Sequence, residues 1–487
     1  MPAQPNIVLL LNDHQVHYRH GWDAGPAVQR PHFDRLAAGG VRFDRAYTAC
    51  PLCGPARRTL LTGLFPHNHG EIHNDTNHPF DRETYLEHLA GAGYRCFYYG
   101  KWHAGGGTAH DHRCEGFSYP SYNNPYTKPE YKDYLRRRHL PDPTVVIEQT
   151  FSAWRELPVG VPYVQDGRWC NEHASGILQT PADTHEALFL ANLACERLGE
   201  LAASGGDRPF HLRVDFWGPH QPYFPTREFA DLYRPEEIPE YGNFRDELGG
   251  KPAIYRFENN LHISENERLL QPNPLPWARW REVLARAYAQ VTLVDAAGGR
   301  ILDALDELHL ADNTLVIWTT DHGDALACHG GHFDKAAYMP EEMIRVPMAL
   351  RLPGAVPASQ ARRELVSLVD VAPTLLDAAG TAFGRAPDGR SLLPVCRGEA
   401  PDWRSDLMVE THGHHREHVG RALLTDRHKY VANQGDLDEL YDLQRDPYEL
   451  ANLVDDPAGA DVSADLRRRL ADWQRQTGDG ARVLEGS

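Results

Sequence analysis

The chain has no long uninterrupted apolar run, and its mean hydropathy is −0.54. A membrane-spanning helix needs about 20 consecutive apolar residues, so no span is expected. An excess of positive charge is missing too. Lys and Arg number 50 against 68 Asp and Glu, a formal net charge of −18. Nucleic acids and long polyanions call for a basic face, so neither is expected as a partner. A small anionic substrate remains open if positive charge is concentrated locally. Cysteine is sparse, 8 in 487 residues, which is too thin for a disulfide framework. There is no internal repeat and no low-complexity tract. No basic n-region or small-residue cleavage site precedes Pro5-Asn6-Ile7-Val8-Leu9-Leu10-Leu11, which reads as a first buried strand and not as a signal peptide. The expectation is a cytoplasmic protein.

What is present is an ordinary globular composition, 41% hydrophobic and 24% charged, in a chain long enough for one large α/β unit and a smaller one. Short apolar runs alternate with helical patterns, as in a mostly parallel sheet covered on both faces. Several of these runs end in polar clusters. Asn6 to Leu11 leads into Asn12-Asp13-His14, and Arg95 to Tyr99 into Gly100-Lys101-Trp102-His103. His211 to Phe216 leads into Gly218-Pro219-His220, and Leu315 to Thr319 into Asp321-His322-Gly323-Asp324. Ligands of open α/β sheets bind outside the carboxyl ends of the strands. A site at that edge is therefore expected. Arg281 to Leu308 has helical spacing. Residues 104 to 180 and 222 to 280, rich in Tyr, His, Pro and Asn or in Pro, read as long excursions at the sheet edge. The Gly/Pro/Arg-bearing stretch Gly380 to Pro394 suggests a boundary between residues 1–385 and a C-terminal α+β domain, 386–487.

Cys53 opens the run C-G-P-A-R-R-T-L-L-T-G, which ends at Gly63. The run reads as a turn and a short helix, with Pro55 suited to the first helical position and Gly63 as the stop. Cys53 then lies at the helix N-terminus, where the dipole favours an oxygen-rich or anionic group. Arg57 is one turn further along and can reach back. A buried cysteine in a capping turn would need none of this. Cys50 and Cys53 could also form a redox pair or half a zinc site, but there is no second C-x-x-C. Asp13, Asp321 and His322 form a candidate divalent-metal set: carboxylates suit Ca2+ or Mg2+, and an imidazole shifts the preference toward Mn2+ or Zn2+. Lys101 and His103 alternate on an extended chain and can face one side. The first can hold an oxyanion, and the second can act as acid or base. His412, His414, His415 and His418 read as a solvated loop, with a metal site as the alternative.

The spacing Cys-x-Pro-x-Arg followed by Thr-Gly resembles the signature of the formylglycine-dependent (type I) sulfatases of the alkaline phosphatase superfamily. P-N-I-V-L-L-L-N-D, G-K-W-H, G-P-H-Q-P-Y, T-T-D-H-G and H-F-D-K-A-A-Y occur in the order found in that family. So do R-V-P-M, L-V-D-V-A-P-T-L-L, D-G-R-S-L-L-P and E-L-Y-D-L-Q-R-D-P-Y-E-L-A-N-L. The resemblance implies an alkaline-phosphatase-like sandwich, a large mixed and mostly parallel sheet between helices with a smaller C-terminal α+β domain. It implies a sulfatase that hydrolyses a small sulfate ester. Its nucleophile would be formylglycine, made from Cys53 by a formylglycine-generating enzyme. Arg57, Lys101, His103, His220 and Lys335 would be catalytic. Asn74, Lys101, His220 and Lys335 would meet the substrate. Asp13, Cys53, Asp321 and His322 would hold Ca2+, with Mn2+ or Mg2+ as alternatives. Many sulfatases carry a second acid beside the first Asp; here His14 stands there, as in the branch of choline sulfatases and phosphonate monoester hydrolases, and is set apart from the ligand set. Two other readings follow. One is a phosphodiesterase or phosphonate monoester hydrolase on the same scaffold. The other is a non-catalytic metal-binding relative, which predicts an unmodified Cys53. A homo-oligomer is compatible with all three.

Overall fold

The first apolar run becomes β1 (Asn6–Asp13), and its alternation explains its place at the centre of the molecule. Ile7, Leu9 and Leu11 pack into the core on one face, and Val8 and Leu10 into the core on the other. A strand buried on both faces is what a parallel sheet between helices demands. The computed structural model describes residues 4–17, 28–120, 124–151, 159–164, 173–205, 208–257, 263–265, 268–271 and 275–484.

The sheet also contains β2 (Val41–Tyr47), β3 (Arg95–Lys101), β4 (Glu115–Tyr119), β5 (Phe210–Pro219), β6 (Thr314–Thr320), β7 (Arg345–Arg351), β8 (Gln360–Arg362) and β9 (Val366–Ser367). It is nine-stranded, in the order β8-β2-β7-β6-β1-β5-β3-β4, with β9 also on β2. β7 runs against β6 and β2. The pairs among β6, β1, β5, β3 and β4 are parallel, so these strands end at one edge. In the β1–β6 register Asn12 pairs with Thr320, which brings Asp13 and Asp321 out side by side.

The helices that position the site are α1 (Pro31–Ala38), α2 (Cys53–Thr62), α3 (Tyr85–Gly91), α4 (Glu186–Ala203), α5 (Trp277–Glu307), α6 (Val371–Ala378) and α7 (Ala460–Thr477), among others. Leu36 of α1, Leu190 of α4 and Val294 and Ile301 of α5 cover the Val8/Leu10 face. Leu60 of α2, Leu86 of α3 and Leu375 of α6 cover the other. Among the described residues, no helix is long and apolar enough to cross a membrane.

The C-terminal part builds a separate antiparallel meander, β10 (Leu407–Gly413), β11 (Glu417–Leu424), β12 (His428–Asn433) and β13 (Glu439–Asp442). One face packs on α7 through Met408, Leu423 and Leu470, joined by Ala49 and Phe65 from beside the Cys53 turn. The other packs through Val409 and Leu424 on Tyr47, Met343 and Ile344. This docking carries the β10–β11 turn to the edge where the large strands end.

The excursion over 104–180 is more regular than its composition suggests. Glu115–Tyr119 is the edge strand β4, and Thr144–Thr150 pairs with both Pro162–Val164 and Ala174–Leu178. β4 is short, and its partly exposed edge includes Glu115 and Gly116, so no period of two survives to mark it. Within the two excursions, 121–123, 152–158, 165–172, 258–262, 266–267 and 272–274 lie outside the described residues.

Candidate active site

α2 begins at Cys53 after an extended Leu52, and Gly63 closes it in the left-handed region at φ 68°. The helix is buried along its whole length. The Gly54 N–H, one of the orphan donors of the first turn, donates to Asn74 Oδ1 at 3.0 Å.

Arg57, fully buried, ties the strand ends together. Its Nη2 donates to Asp13 Oδ2 at 2.8 Å and its Nε to Asp321 Oδ2 at 3.0 Å. Its Nη1 donates to Asp215 Oδ2 at 2.9 Å and to the Lys101 carbonyl at 3.0 Å. Each guanidinium nitrogen thus serves an acceptor at the sheet edge. The reach back to Cys53 allowed by helical spacing is not what these bonds do; Arg57 positions the carboxylates. Gly100 lets β3 lie close against β5 beside Asp215. It has φ 118°, and a Cβ there would meet the Asp215 carbonyl oxygen at 2.0 Å.

Cys53 Sγ lies 3.1 Å from His322 Nε2 and 3.8 Å from Asp13 Oδ1. His322 Nδ1 is 2.8 Å from the Gly323 carbonyl, so Nδ1–H donates there and the Nε2 lone pair faces Cys53. Asp321 Oδ1 accepts the backbone N–H groups of His14 at 3.0 Å and His322 at 2.9 Å. Asp13, Cys53, Asp321 and His322 are all buried, with ligand atoms within 4.8 Å of one another. This is the set expected from the sequence. Its two carboxylates and neutral imidazole are donors that fit a divalent cation. Asp13 Oδ2 also accepts from Lys101 Nζ at 2.5 Å. Burial opposes charge on Asp13, but Lys101 and Arg57, then His220 and His322, hold its carboxyl well below the usual range. Burial, reinforced by Asp13, pushes the Cys53 thiol up to about 12. An unmodified Cys53 is therefore a protonated, weak nucleophile.

His220 and Lys335 meet from opposite sides, with Nε2 and Nζ 3.4 Å apart. His220 Nδ1 is tied to the Gln221 carbonyl at 2.8 Å, and Lys335 Nζ to Asp334 Oδ1 at 3.0 Å. Burial would discharge Lys335, but Asp334, Cys53 and Asp13 keep it above its ordinary value. His103 is buried at φ 41°, 3.9 Å from Asp75 Oδ1. Burial, then Lys101 beside His103 and Lys335 beside His220, lowers both imidazoles well below the usual value. Both are neutral bases in the free protein. His14, at φ 67°, turns Nε2 toward Asp334 at 3.4 Å and Asp324 at 3.6 Å. Its ring lies 4.8 Å from those of both His220 and His322. Asp13, His14 and His220 make a second grouping that shares Asp13.

A cavity of about 630 Å³ opens on this centre, lined by Asn74, His103 and Lys335 together with His73, Asp334 and His414, among others. Sequence reasoning missed Asp215 and Asp334, and placed Asp324 at the site edge without a role of its own. An acid inside F-H-L-R-V-D-F-W was the available signal for the first. His414 and His415, read as part of a solvated loop, instead form the tight β10–β11 turn and line the cavity. Nothing local in H-G-H-H-R-E-H distinguishes the two situations.

A buried nucleophile position, a divalent-cation donor set with Lys101 on Asp13, and a second ammonium group, Lys335, in the wall of one cavity fit a hydrolase for esters of a tetrahedral oxyanion. Comparison with known proteins narrows this. The sulfatase family profile matches residues 5–381, and that of the N-sulphoglucosamine sulphohydrolase C-terminal region matches residues 328–476. The chain is 28% identical to the uncharacterized sulfatase YidJ of Escherichia coli (strain K12), over 99% of this chain and 90% of that protein. It is 27% identical to a choline-sulfatase of Rhizobium meliloti (strain 1021), over 98% of this chain and 89% of that protein. A phosphonate monoester hydrolase of Agrobacterium radiobacter shares the fold, with a TM-score of 0.77 at 23% identity over 97% of this chain and 96% of that one. The chain belongs to the sulfatase family and is a sulfuric ester hydrolase.

Proposed function

We propose that the protein hydrolyses a small sulfate ester, R–O–SO3−, to alcohol and inorganic sulfate, with formylglycine at position 53 and a divalent cation held by Asp13, Asp321, His322 and residue 53. The observation that carries this reading is the convergence of Cys53, the cation donors and two ammonium groups on one buried point that opens to a cavity. When present, the cation and the hydrated aldehyde supply Lewis acidity and an oxygen nucleophile that a protonated thiol lacks. Ca2+ is the first candidate, with Mn2+ or Mg2+ as alternatives.

The chain's own residues account for the remaining work. Lys101 and Lys335 hold sulfate oxygens and offset charge as it shifts toward the departing oxygen. Lys335 and His220 act as a pair on that oxygen. Negative charge arriving between them raises the proton affinity of His220 Nε2, and the Gln221 carbonyl keeps the ring oriented. His103, neutral and beside Lys101, takes up the proton from residue 53. Arg57 keeps Asp13, Asp215 and Asp321 in place. We also propose a cytoplasmic setting and a formylglycine-generating enzyme as partner.

Protein produced with a formylglycine-generating enzyme should show an aldehyde at position 53 and a thiol at Cys50 by peptide mass spectrometry. Modification at Cys50 instead would overturn the assignment. A phosphodiesterase or phosphonate monoester hydrolase reading is favoured by one observation, His14 in place of a second acid. Matched aryl sulfate and aryl phosphodiester substrates separate the two; a higher kcat/KM for the sulfate is expected.

A further inference from the structure

β5 bulges just before it delivers His220. Its Asp215 pairs with Leu11 of β1 and its Pro219 with Asp13, so Phe216, Trp217 and Gly218 stand opposite Asn12 alone. Bulges occur beside active sites, where they re-aim a side chain. The backbone donors of this one are taken up by a carboxylate. Glu186, the first residue of α4, is buried. Its Oε1 accepts the Gly218 N–H at 2.8 Å, and its Oε2 accepts the Trp217 N–H at 3.3 Å. A Cβ on Gly218 would meet Val294 Cγ2 at 2.6 Å and Glu186 Oε1 at 3.2 Å, so glycine lets the carboxylate come this close.

Trp217, held by this anchor, touches two groups of the catalytic edge. Its ring is buried, and Lys101 Nζ lies over it, 4.5 Å from the centroid. The same ammonium donates to Asp13 Oδ2 at 2.5 Å. A desolvated ammonium is attracted by the quadrupole of an indole, so the ring and the carboxylate fix Nζ between them. The ring also stands 4.7 Å from that of His220, tilted by 45°. Its Nε1–H donates to the Gln221 carbonyl at 3.3 Å, the oxygen to which His220 Nδ1 is tied at 2.8 Å. One indole therefore bears on the ammonium and on the imidazole, and it shares with the imidazole the acceptor that sets its tautomer. The indole has no titratable group of its own.

We propose that Trp217 is a positioning residue that fixes the Lys101 ammonium and the His220 imidazole relative to one another, so that one holds the sulfate while the other serves the departing oxygen of the same ester. This rests on the sulfate-ester reading, which gives Lys101 and His220 those tasks. Donors that are already in place need no reorganisation at the moment of reaction. The two contacts are separable. The face of the ring serves Lys101, and the N–H serves the carbonyl behind His220.

The test uses full-length protein carrying the aldehyde at position 53 and a series of aryl sulfates whose phenols differ in pKa. Thermal unfolding sets the rates per folded molecule. Trp217→Leu removes both contacts. Its kcat/KM for 4-nitrophenyl sulfate should fall at least about tenfold with KM raised, and its rate should depend more steeply on phenol pKa than the parent's does. Trp217→Phe returns a ring face without the N–H. Its KM should stay within about threefold of the parent's, while the steeper dependence on phenol pKa should persist. If Trp217→Leu does not fold, Trp217→Phe decides by that dependence alone. The proposal is overturned by a parental kcat/KM in folded Trp217→Leu, by a KM in Trp217→Phe as high as in Trp217→Leu, or by a parental dependence in Trp217→Phe. Each of these leaves the sulfatase reading intact. Absence of turnover of any sulfate ester by the parent protein overturns both.

Discussion

Two clusters of buried charge in this molecule differ in their arrangement. Beneath the C-terminal meander, Lys251 Nζ donates to Tyr441 Oη at 2.8 Å and to the Glu449 carbonyl at 2.7 Å. Lys429 pairs with the Glu449 carboxylate and donates to the Met339 carbonyl at 2.8 Å. His329 lies between Asp246 at 3.2 Å and Glu342 at 3.4 Å. These groups face one another, and they join the segment around Lys251, the segment from His329 to Glu342 and strands β12 and β13. None of them lines the cavity. At the strand ends, by contrast, Arg57 holds three carboxylates from behind; Asp215 is closed off by Arg213, while Asp13 and Asp321 converge with Cys53 and His322 on one point beside Lys101 and Lys335. His329, Glu342 and Glu449 could be drawn as a metal site, but the lysines already neutralise that cluster. Burial of charge is common to both. Convergence on an open focus marks the functional one.

The largest expected effect breaks both stability and function at the strand ends. Arg57→Ala removes the guanidinium that bonds Asp13, Asp215 and Asp321 together: Lys101 stays on Asp13 and Arg213 on Asp215, but the buried Asp321 loses its ion pair. A loss of about 3–5 kcal/mol by urea unfolding is expected, with turnover of an aryl sulfate reduced beyond about a thousandfold. Arg57→Lys should not rescue it, because a point charge cannot serve three carboxylates at once. Unchanged stability would show that Arg57 does not carry the cluster.

Asp321→Ala should remove the bound cation by elemental analysis and abolish turnover; metal undiminished in that variant would place the site elsewhere. Cys53→Ala should abolish turnover while the melting temperature holds, since the thiol contributes little to a buried helix start. These variants separate function from folding within one cluster.

Lys429→Met sharpens the comparison from the other side. It strands Glu449, so a loss of about 3–5 kcal/mol is expected, yet kcat per folded molecule should stay within about twofold if the cluster acts through pairwise satisfaction alone. A collapse of kcat at full folding would give this cluster a part in catalysis.

The smallest effect is a pH dependence at the join between the large unit and the meander. His67 Nδ1 lies 2.6 Å from Glu410 Oε2. Burial opposes the charged ring, but the hydrogen bond and charge of Glu410 overcome it and raise His67 above its ordinary value. The folded state binds this proton more tightly than the unfolded one. Its contribution is therefore fully present below the unfolded pKa of about 6.5 and is lost as pH rises through the higher folded value. Thermal unfolding should show the native protein losing more stability than His67→Gln between about pH 6 and 8.5. Parallel curves would mean that the pair is not linked to folding.

Much of the catalytic edge was legible because parallel strands deliver their next residues to one side. Asp13, Lys101, His220 and Asp321 each follow a run whose apolar character is plain. The helix start at Cys53 was legible from Pro55 and Gly63. Asp215 was harder, since it sits inside a strand and only a buried partner such as Arg57 gives it a role. His414 and His415 were not legible: the same letters serve a solvated loop or a cavity wall.

The sequence by itself determined the strand–helix alternation, the chemistry presented at the strand ends and the family, because these depend on local periodicity and on short spacings. Only the tertiary structure decided that Arg57 braces carboxylates and does not reach back to Cys53, that His14 turns to Asp334 and Asp324, and that a turn from the far end of the chain closes the cavity. Those outcomes depend on which surfaces dock. Burial then makes each unpaired charge costly enough to choose its own partner.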